Sequence, residues 1–177
     1  NVSRPKDFAA RFESLTYQHR MHPEISSFSR REIYVGEALR DANTIQIRDA
    51  ELDWDFGAFS ARRMWANIDG REQGGENDDE VRAMATLVRD FIAWVRSKGP
   101  PARHVPPVWE VACLCFYSKQ EQAIAKMLCE VTQDDRKTRF TVSDAPVEIV
   151  CGTVDRFQGR EADLVMLSMR NTRRVGF

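Results

Sequence analysis

Three apolar runs constrain the fold of this chain more than any other feature of its sequence. They are Val108–Tyr117, Val147–Val154 and Leu164–Met169. Nearly continuous apolar runs of this length are typical of strands that are covered on both faces. Segments whose apolar residues recur at helical spacing lie before and between these runs. The sequence therefore predicts an α/β domain with a mostly parallel sheet covered by helices.

The longest helical pattern has clear start and stop signals. Asn77 or Asp78 is predicted to cap its N-terminus, and Gly99, which two prolines follow, is predicted to end it. On the N-terminal side of this helix, Arg63–Ile68 is a weaker strand candidate, and Gly70–Glu76 is predicted to be a loop.

Two further helices are predicted. Ser118 is expected to cap one of them, with Glu121 in the capping-box position. The other is shorter and is expected to begin at Pro23 and to end near Tyr34. Ligands of parallel sheets bind beyond the carboxyl ends of the strands. Three segments are expected there: Phe116–Lys119, Thr153–Glu161 and Arg170–Arg173.

Composition excludes several classes of protein. The 177 residues include 26 Lys and Arg and 27 Asp and Glu, so the net charge is -1, which excludes a strongly basic nucleic-acid coat protein. Residues 49–98 hold eleven acids and seven bases, so the excess of bases lies towards the two ends of the chain. That acidic region is predicted to be the solvated back of the domain or an insertion that binds another protein.

No apolar run approaches the roughly 18 residues of a membrane span, so a soluble, cytoplasmic protein is expected, with nuclear or nucleoid-associated locations left open.

The cysteines and histidines do not predict a metal site. The cysteines contain no CxxC pair, and three of them lie in apolar runs, so they are predicted to be free core thiols. His19 and His22 stand three residues apart, but neither they nor His104 has a partner at a metal-binding spacing. The four cysteines are Cys113, Cys115, Cys129 and Cys151.

Tyr17–Ile25 is the first segment with chemical potential. It places Arg20 among an amide and two imidazoles, directly before the helix predicted to begin at Pro23. A guanidinium there can bind an anion with two hydrogen bonds. The alternative is a surface arginine in a polar loop.

Thr153–Asp163 is the second such segment, and it joins two predicted strands. Thr153 offers a hydroxyl at a strand end, and Gly159 permits a positive φ or a close approach of the backbone. Acceptors for ribose hydroxyls, water or arginine are offered by Asp155, Gln158 and Glu161. One alternative is a polar turn with Phe157 in the core. Another is a nuclease metal site with three carboxylate ligands: Asp155, Glu161 and Asp163.

Together these segments resemble the second RecA-like domain of a superfamily 1 helicase, in the branch of the nonsense-mediated-decay RNA helicase. QHRMHPEIS, from Gln18 to Ser26, resembles the family's QYRMHPxIS motif, and VDRFQGREADLVMLS, from Val154 to Ser168, resembles its motif V. VACLCFYSKQEQ, from Val111 to Gln122, resembles the family's IGIITPYxxQ strand and helix start. The matches cover about residues 15 to 177, which implies one RecA-like, three-layer domain over 1–177 with a lead-in at 1–14.

The resemblance implies a role for each matched residue. Arg20 would reach the γ-phosphate of ATP across the interdomain cleft. The ribose and nearby parts of the nucleotide would be bound by Glu161, Gly159 and Gln158. His19 stands where the family has a tyrosine near the adenine, and its smaller ring implies weaker or different base stacking. Thr153 would contact a phosphate of a single strand of DNA or RNA.

The resemblance also implies what lies outside this sequence. GxxxxGK[ST] is absent from the chain, so ATP and Mg²⁺ would be bound mainly by a first, N-terminal RecA-like domain. The sequence stops at Phe177, before the family's motif VI. The intact enzyme is therefore expected to be an ATP-dependent helicase of the P-loop NTPase class, and this chain alone is expected to be inactive. The alternative is a RecA-like module that binds nucleic acid or protein without turnover.

Overall fold

The computed structural model describes residues 15–36, 39–44, 54–58, 61–102 and 106–170. The described residues fall into two compact units. The first comprises 15–36, 39–44, 54 and 61–64, and the second comprises 55–58, 65–102 and 106–170. The predicted lead-in 1–14, His104 and positions 171–173 lie outside the described residues.

The described part of the first unit includes a helix and a pair of very short strands. Strand β1 (Tyr17–Gln18) lies parallel to β2 (Arg40–Asp41), with Gln18 opposite Asp41. Helix α1 (Pro23–Glu32) begins with proline in its first turn, as predicted, but it ends two residues before Tyr34. The ring nitrogen Nδ1 of His22 caps it by accepting the Glu24 N–H at 3.2 Å.

The described part of the second unit is built on a four-stranded sheet. Helix α2 (Asp78–Lys98) precedes β3 (Trp109–Cys115), and α3 (Ser118–Thr132) follows it. Next come β4 (Arg139–Thr141), β5 (Val147–Thr153), the one-turn helix α4 (Val154–Phe157) and β6 (Leu164–Ser168). The strand order is β4-β5-β3-β6. β3 pairs in parallel with β5 and β6, and only β4 is antiparallel, so the predicted mostly parallel α/β sheet is confirmed.

Some local predictions are confirmed and others are wrong. Asn77 caps α2, and Gly99 ends it at φ 84°. Ser118 does not cap α3: Tyr117 holds that position, and Ser118 is the first helical residue because the chain turns into the helix one residue earlier. The weak strand candidate Arg63–Ile68 forms no strand. β4 was not predicted because three residues are too few to show a periodic pattern.

Strand register brings the carboxyl ends of three strands to one edge of the sheet. Cys115, the last residue of β3, lies opposite Thr153 on one side and Ser168 on the other. We call this the carboxyl edge. Alternation along the strands also places Cys113, Cys115, Cys151 and Ser168 on one face. Helix α3 lies over that face, since its residues contact Cys151 and Ser168.

Apolar side chains of α2 and α3 form the core with this face of the sheet. Phe91 of α2 contacts Trp109 of β3 edge to face, with ring centroids 6.3 Å apart. Trp109 is 2% exposed and donates its indole N–H to the Gly99 carbonyl at 2.9 Å. The end of α2 and the start of β3 are therefore held together.

The predicted core thiols are confirmed for three of the four cysteines. Cys113, Cys115 and Cys151 are buried and unpaired, whereas Cys129 is half-buried. Burial raises the pKa of Cys113 well above its ordinary value and that of Cys151 to about 12. These thiols therefore stay protonated and unreactive at neutral pH.

A buried polar cluster joins α2, α3 and β6 at the carboxyl edge. The Gln120 side chain, which has no solvent exposure, accepts the Asn77 N–H at 2.7 Å. It donates to the Asn77 carbonyl at 3.2 Å and to the Ser168 hydroxyl at 2.9 Å. Glu80 in turn accepts from the Ser168 hydroxyl at 2.5 Å and from the Arg170 N–H at 2.9 Å. These bonds fix where the sheet ends relative to both helix starts.

No helix within the described residues is long and apolar enough to cross a membrane.

Gln120→Leu is expected to lower the free energy of unfolding by about 2–4 kcal/mol, because each buried polar group left without a partner costs roughly 1–3 kcal/mol. Urea denaturation followed by tryptophan fluorescence measures the change. Gln122→Leu is the matched control, since Gln122 is exposed on the same helix. Equal stability of the two variants would contradict the structural role of the cluster.

Candidate functional site

The side chain of Gln18 shapes the loop that carries Arg20. Its Oε1 accepts the N–H groups of Arg20 at 2.9 Å and Met21 at 2.8 Å. Its Nε2 donates to the Met21 carbonyl at 2.7 Å and to Asp41 Oδ1 at 2.5 Å. One amide therefore satisfies three backbone groups of the turn and links them to β2.

Asp41 is the anchor of this arrangement. Its carboxylate accepts from the buried Ser26 hydroxyl at 2.6 Å and pairs with Arg30 at 3.0 Å. Burial alone would raise the pKa of Asp41, but the hydrogen bonds from Ser26 and Gln18 and the charge of Arg30 lower it below its ordinary value. The carboxylate is therefore charged at neutral pH and holds β1, α1 and β2 together.

Arg20 and His19 are presented to solvent by this framework. Both side chains are exposed, and His19 Nδ1 lies 3.4 Å from the Thr44 hydroxyl. Sequence reasoning singled out these two residues and missed the supporting pair of Gln18 and Asp41. The pair is 23 residues apart in sequence, and the only available signal was a polar residue in each of two short stretches.

The second candidate segment begins at the carboxyl edge. Thr153 ends β5 and is half-buried, and its hydroxyl does not cap α4. Arg156 Nε lies 3.4 Å from that hydroxyl. The Arg156 guanidinium also pairs with Glu121 in the first turn of α3. Neither Arg156 nor Glu121 was assigned a site role from the sequence.

Gln158, Gly159 and Glu161 follow α4 and are exposed. Gly159 has φ 84°, a backbone conformation that residues other than glycine rarely adopt. A Cβ built there would meet no atom within 4 Å, so the backbone angle and not crowding requires glycine. The turn therefore exposes the amide of Gln158, the backbone of Gly159 and the carboxylate of Glu161.

Asp163 lies at the opposite end of the sheet from Thr153. Its carboxylate accepts the Glu110 N–H at 2.9 Å, and its own N–H donates to the Glu110 carbonyl at 2.8 Å. Glu110 is near the start of β3, whereas Thr153 lies opposite the end of β3. Asp163 is thus a structural anchor. The described part of the chain contains no group of three or more His, Cys, Asp or Glu side chains that could hold a metal ion.

Arg170 has an unusual backbone at the carboxyl edge. Its φ is 60°, although it is not glycine, and its guanidinium lies 3.5 Å from the centroid of the Tyr117 ring. It also donates to the Gly75 carbonyl at 3.3 Å. The stacking contact and the bond from its N–H to Glu80 explain how this left-handed conformation is held. Arg170 was predicted to lie at this edge, but its stacking was not foreseen.

Ser26→Ala is expected to raise the pKa of Asp41, because the hydroxyl that favours the charged form is lost. In the wild type the folded pKa is depressed, so the stabilisation from Asp41 is present above the ordinary aspartate value and is lost as pH falls through the folded pKa. Carboxyl ¹³C NMR titration measures the midpoint. Ser27→Ala is the control, since its hydroxyl bonds only to the Glu24 carbonyl among the contacts described. An unchanged midpoint in Ser26→Ala would refute the assignment.

Comparison with known proteins places the chain in a family. Residues 4–177 match the family model AAA_12, described as an AAA domain. The chain is 29% identical over 155 residues to the probable helicase senataxin of Homo sapiens, covering 87% of this chain and 5% of that protein. It is 26% identical over 162 residues to the probable helicase MAGATAMA 3 of Arabidopsis thaliana, covering 87% of this chain and 18% of that protein. Because the family model spans nearly the whole sequence, the chain belongs to the AAA domain family.

Proposed function

We propose that this chain is the second, C-terminal RecA-like domain of an ATP-dependent superfamily 1 helicase, in the branch of the nonsense-mediated-decay RNA helicase. The observation that carries the proposal is the connection between β5 and β6. It bears the motif V residues, starts at the carboxyl edge and contains a left-handed Gly159 among exposed polar side chains. Both related proteins are described as probable helicases, which supports the same conclusion.

In this proposal, ATP lies between this domain and a first RecA-like domain, and its hydrolysis supplies the free energy for movement along a strand. The residues present fit only part of such a site. Arg20 would stabilise charge on the transferred phosphoryl group, as a trans arginine does. Glu161 would bind the ribose, with the Gly159 backbone and Gln158 beside it and His19 near the base. Mg²⁺ and most phosphate contacts would belong to the other domain.

The loop around Arg20 is suited to an arginine finger. A finger must be held in place without losing access to the nucleotide. Gln18 fixes the backbone of Arg20 by accepting the Arg20 N–H, and Arg20 is an exposed residue. Asp41 holds Gln18 through a 2.5 Å hydrogen bond. Gln18 and Asp41 therefore hold the backbone of Arg20 in place, and Arg20 itself stays exposed.

Single-stranded DNA or RNA is the proposed partner, and Thr153 is its proposed phosphate contact. A groove for single strands combines hydroxyl and cationic donors that follow the phosphate backbone. Lys119, Arg156 and Arg170 follow three parallel strands within four residues of the carboxyl edge. This local group of cations supports strand binding despite a net charge of -1.

Arg20→Ala is expected to lower ATP turnover by the intact enzyme roughly 10³-fold, the scale of a trans arginine. ATP affinity should change far less, because most phosphate contacts lie on the first domain. Arg31→Ala is the matched control, since Arg31 is an exposed arginine of α1 that pairs with Glu32. Steady-state turnover and equilibrium nucleotide binding are measured separately. A loss of turnover below about tenfold, far short of that scale, would show that Arg20 is not the finger.

Glu161→Gln and Thr153→Val are expected to have crossed effects. Glu161→Gln should weaken binding of a fluorescent ATP analogue far more than binding of a single strand. Thr153→Val keeps the side-chain shape but removes the hydroxyl, so it should weaken strand binding far more than nucleotide binding. Both affinities are measured on both variants of the intact enzyme. The same pattern in both would refute the separate nucleotide and strand roles of this connection.

A further inference from the structure

An asymmetric ion pair lies beside the proposed strand contact. The Arg156 guanidinium contacts Glu121 Oε2, and its Nε lies 3.4 Å from the Thr153 hydroxyl. The Arg156 side chain is 58% exposed, whereas that of Glu121 is 14% exposed. The cation therefore faces solvent, and the carboxylate beneath it is mostly covered by protein.

The hydroxyl and the guanidinium form a pair of donors suited to a phosphate. Thr153 does not use its hydroxyl to cap α4. Arg156 follows three residues later, on the one turn of α4, which brings both groups to the same end of β5. A guanidinium binds two phosphate oxygens in a planar arrangement, and a neighbouring hydroxyl can donate to one of them.

We propose that Arg156 and Thr153 together bind one backbone phosphate of the single strand, and that Glu121 competes with this phosphate for Arg156. The inference rests on the proposed helicase function. It adds Arg156 to the proposed strand contact and adds Glu121 as a carboxylate that lowers the affinity of this contact. Glu121 lies directly after the segment that resembles IGIITPYxxQ, and the resemblance assigns no role to either Glu121 or Arg156.

The competition is energetically feasible. The Arg156 side chain is 58% exposed, and ion pairs at the surface contribute little to stability, so a phosphate that approaches from solvent can compete with the carboxylate for Arg156. Glu121 cannot move far away, because its backbone lies in the first turn of α3 and its N–H donates to the Tyr117 carbonyl at 3.0 Å. The carboxylate therefore remains near the site and lowers its affinity for any phosphate.

Strand binding by the 177-residue chain tests the proposal. Fluorescence anisotropy of labelled oligo-uridine and oligo-thymidine is followed over a range of KCl concentrations. Two or three phosphate contacts predict a slope of about -1.5 to -2 in the log–log plot of affinity against salt. Arg156→Gln is expected to weaken binding and to reduce the size of this slope by about 0.7, the loss of one contact. Arg156→Lys should keep the slope.

Glu121→Gln is expected to tighten binding roughly two- to fivefold, the range of a weak ion pair at the protein surface. Asp155→Asn removes the same charge one residue from Arg156 and should have a smaller effect. The double variant Glu121→Gln/Arg156→Gln should bind like Arg156→Gln alone, because the carboxylate acts through the arginine.

Arg139→Gln is the matched control for Arg156→Gln. Arg139 also forms an ion pair with a more covered carboxylate, that of Glu148, at 51% and 22% exposure. Glu148 precedes Thr153 by five residues in β5, a separation of roughly 16 Å at strand spacing. The Arg139→Gln chain should keep the wild-type affinity and slope. Far-UV circular dichroism shows that each variant is folded.

The outcomes separate this inference from the proposed function. If the wild-type chain binds but Arg156→Gln keeps its affinity and slope, the phosphate role of Arg156 is wrong, and the proposal that this chain binds a single strand is unaffected. If Glu121→Gln tightens binding equally with and without Arg156, the carboxylate acts as a general charge and the competition is wrong. If the wild-type chain binds neither oligonucleotide, the strand contact proposed for this chain fails, and this inference fails with it.

Discussion

The hydrogen bonds of Gln120 are the constraint on which the second unit depends. A fully buried amide joins the backbone of Asn77 to the hydroxyl of Ser168, and so links the start of α2 to the end of β6. Apolar packing could tolerate a shift of a helix along the sheet, but directional bonds in a buried site cannot. The groups of the carboxyl edge are therefore presented from a fixed frame.

Polar side chains also hold the first unit together, on a smaller scale. Two-residue strands have too few hydrogen bonds to hold a loop, so side chains do this instead. The carboxylate of Asp41 collects donors from Gln18, Ser26 and Arg30, and Gln18 passes that order on to the backbone of Arg20. In the first unit half-buried polar residues thus position the exposed Arg20, and in the second unit a buried amide joins the elements that meet at the carboxyl edge.

The sequence predicted long elements better than polar contacts. The apolar runs identified β3, β5 and β6, and Asn77 and Gly99 correctly marked the ends of α2, because both features are local patterns. β4 is too short for such a pattern, and Ser118 was misplaced by one residue. The pairs of Gln18 with Asp41 and Glu121 with Arg156 join residues 23 and 35 positions apart. No local pattern reports such contacts, so the framework around the predicted site residues was missed.

The double hydrogen bond between Asp163 and Glu110 has a consequence at a distance. It sets which residue of β6 first meets β3, and side chains on a strand alternate between faces. Entry one residue early or late would turn Ser168 to the far face and leave Gln120 without its hydroxyl partner. The anchor at one end of β6 therefore holds the strand register that the polar cluster at the other end requires. Contacts at both ends of this five-residue strand therefore favour the same register.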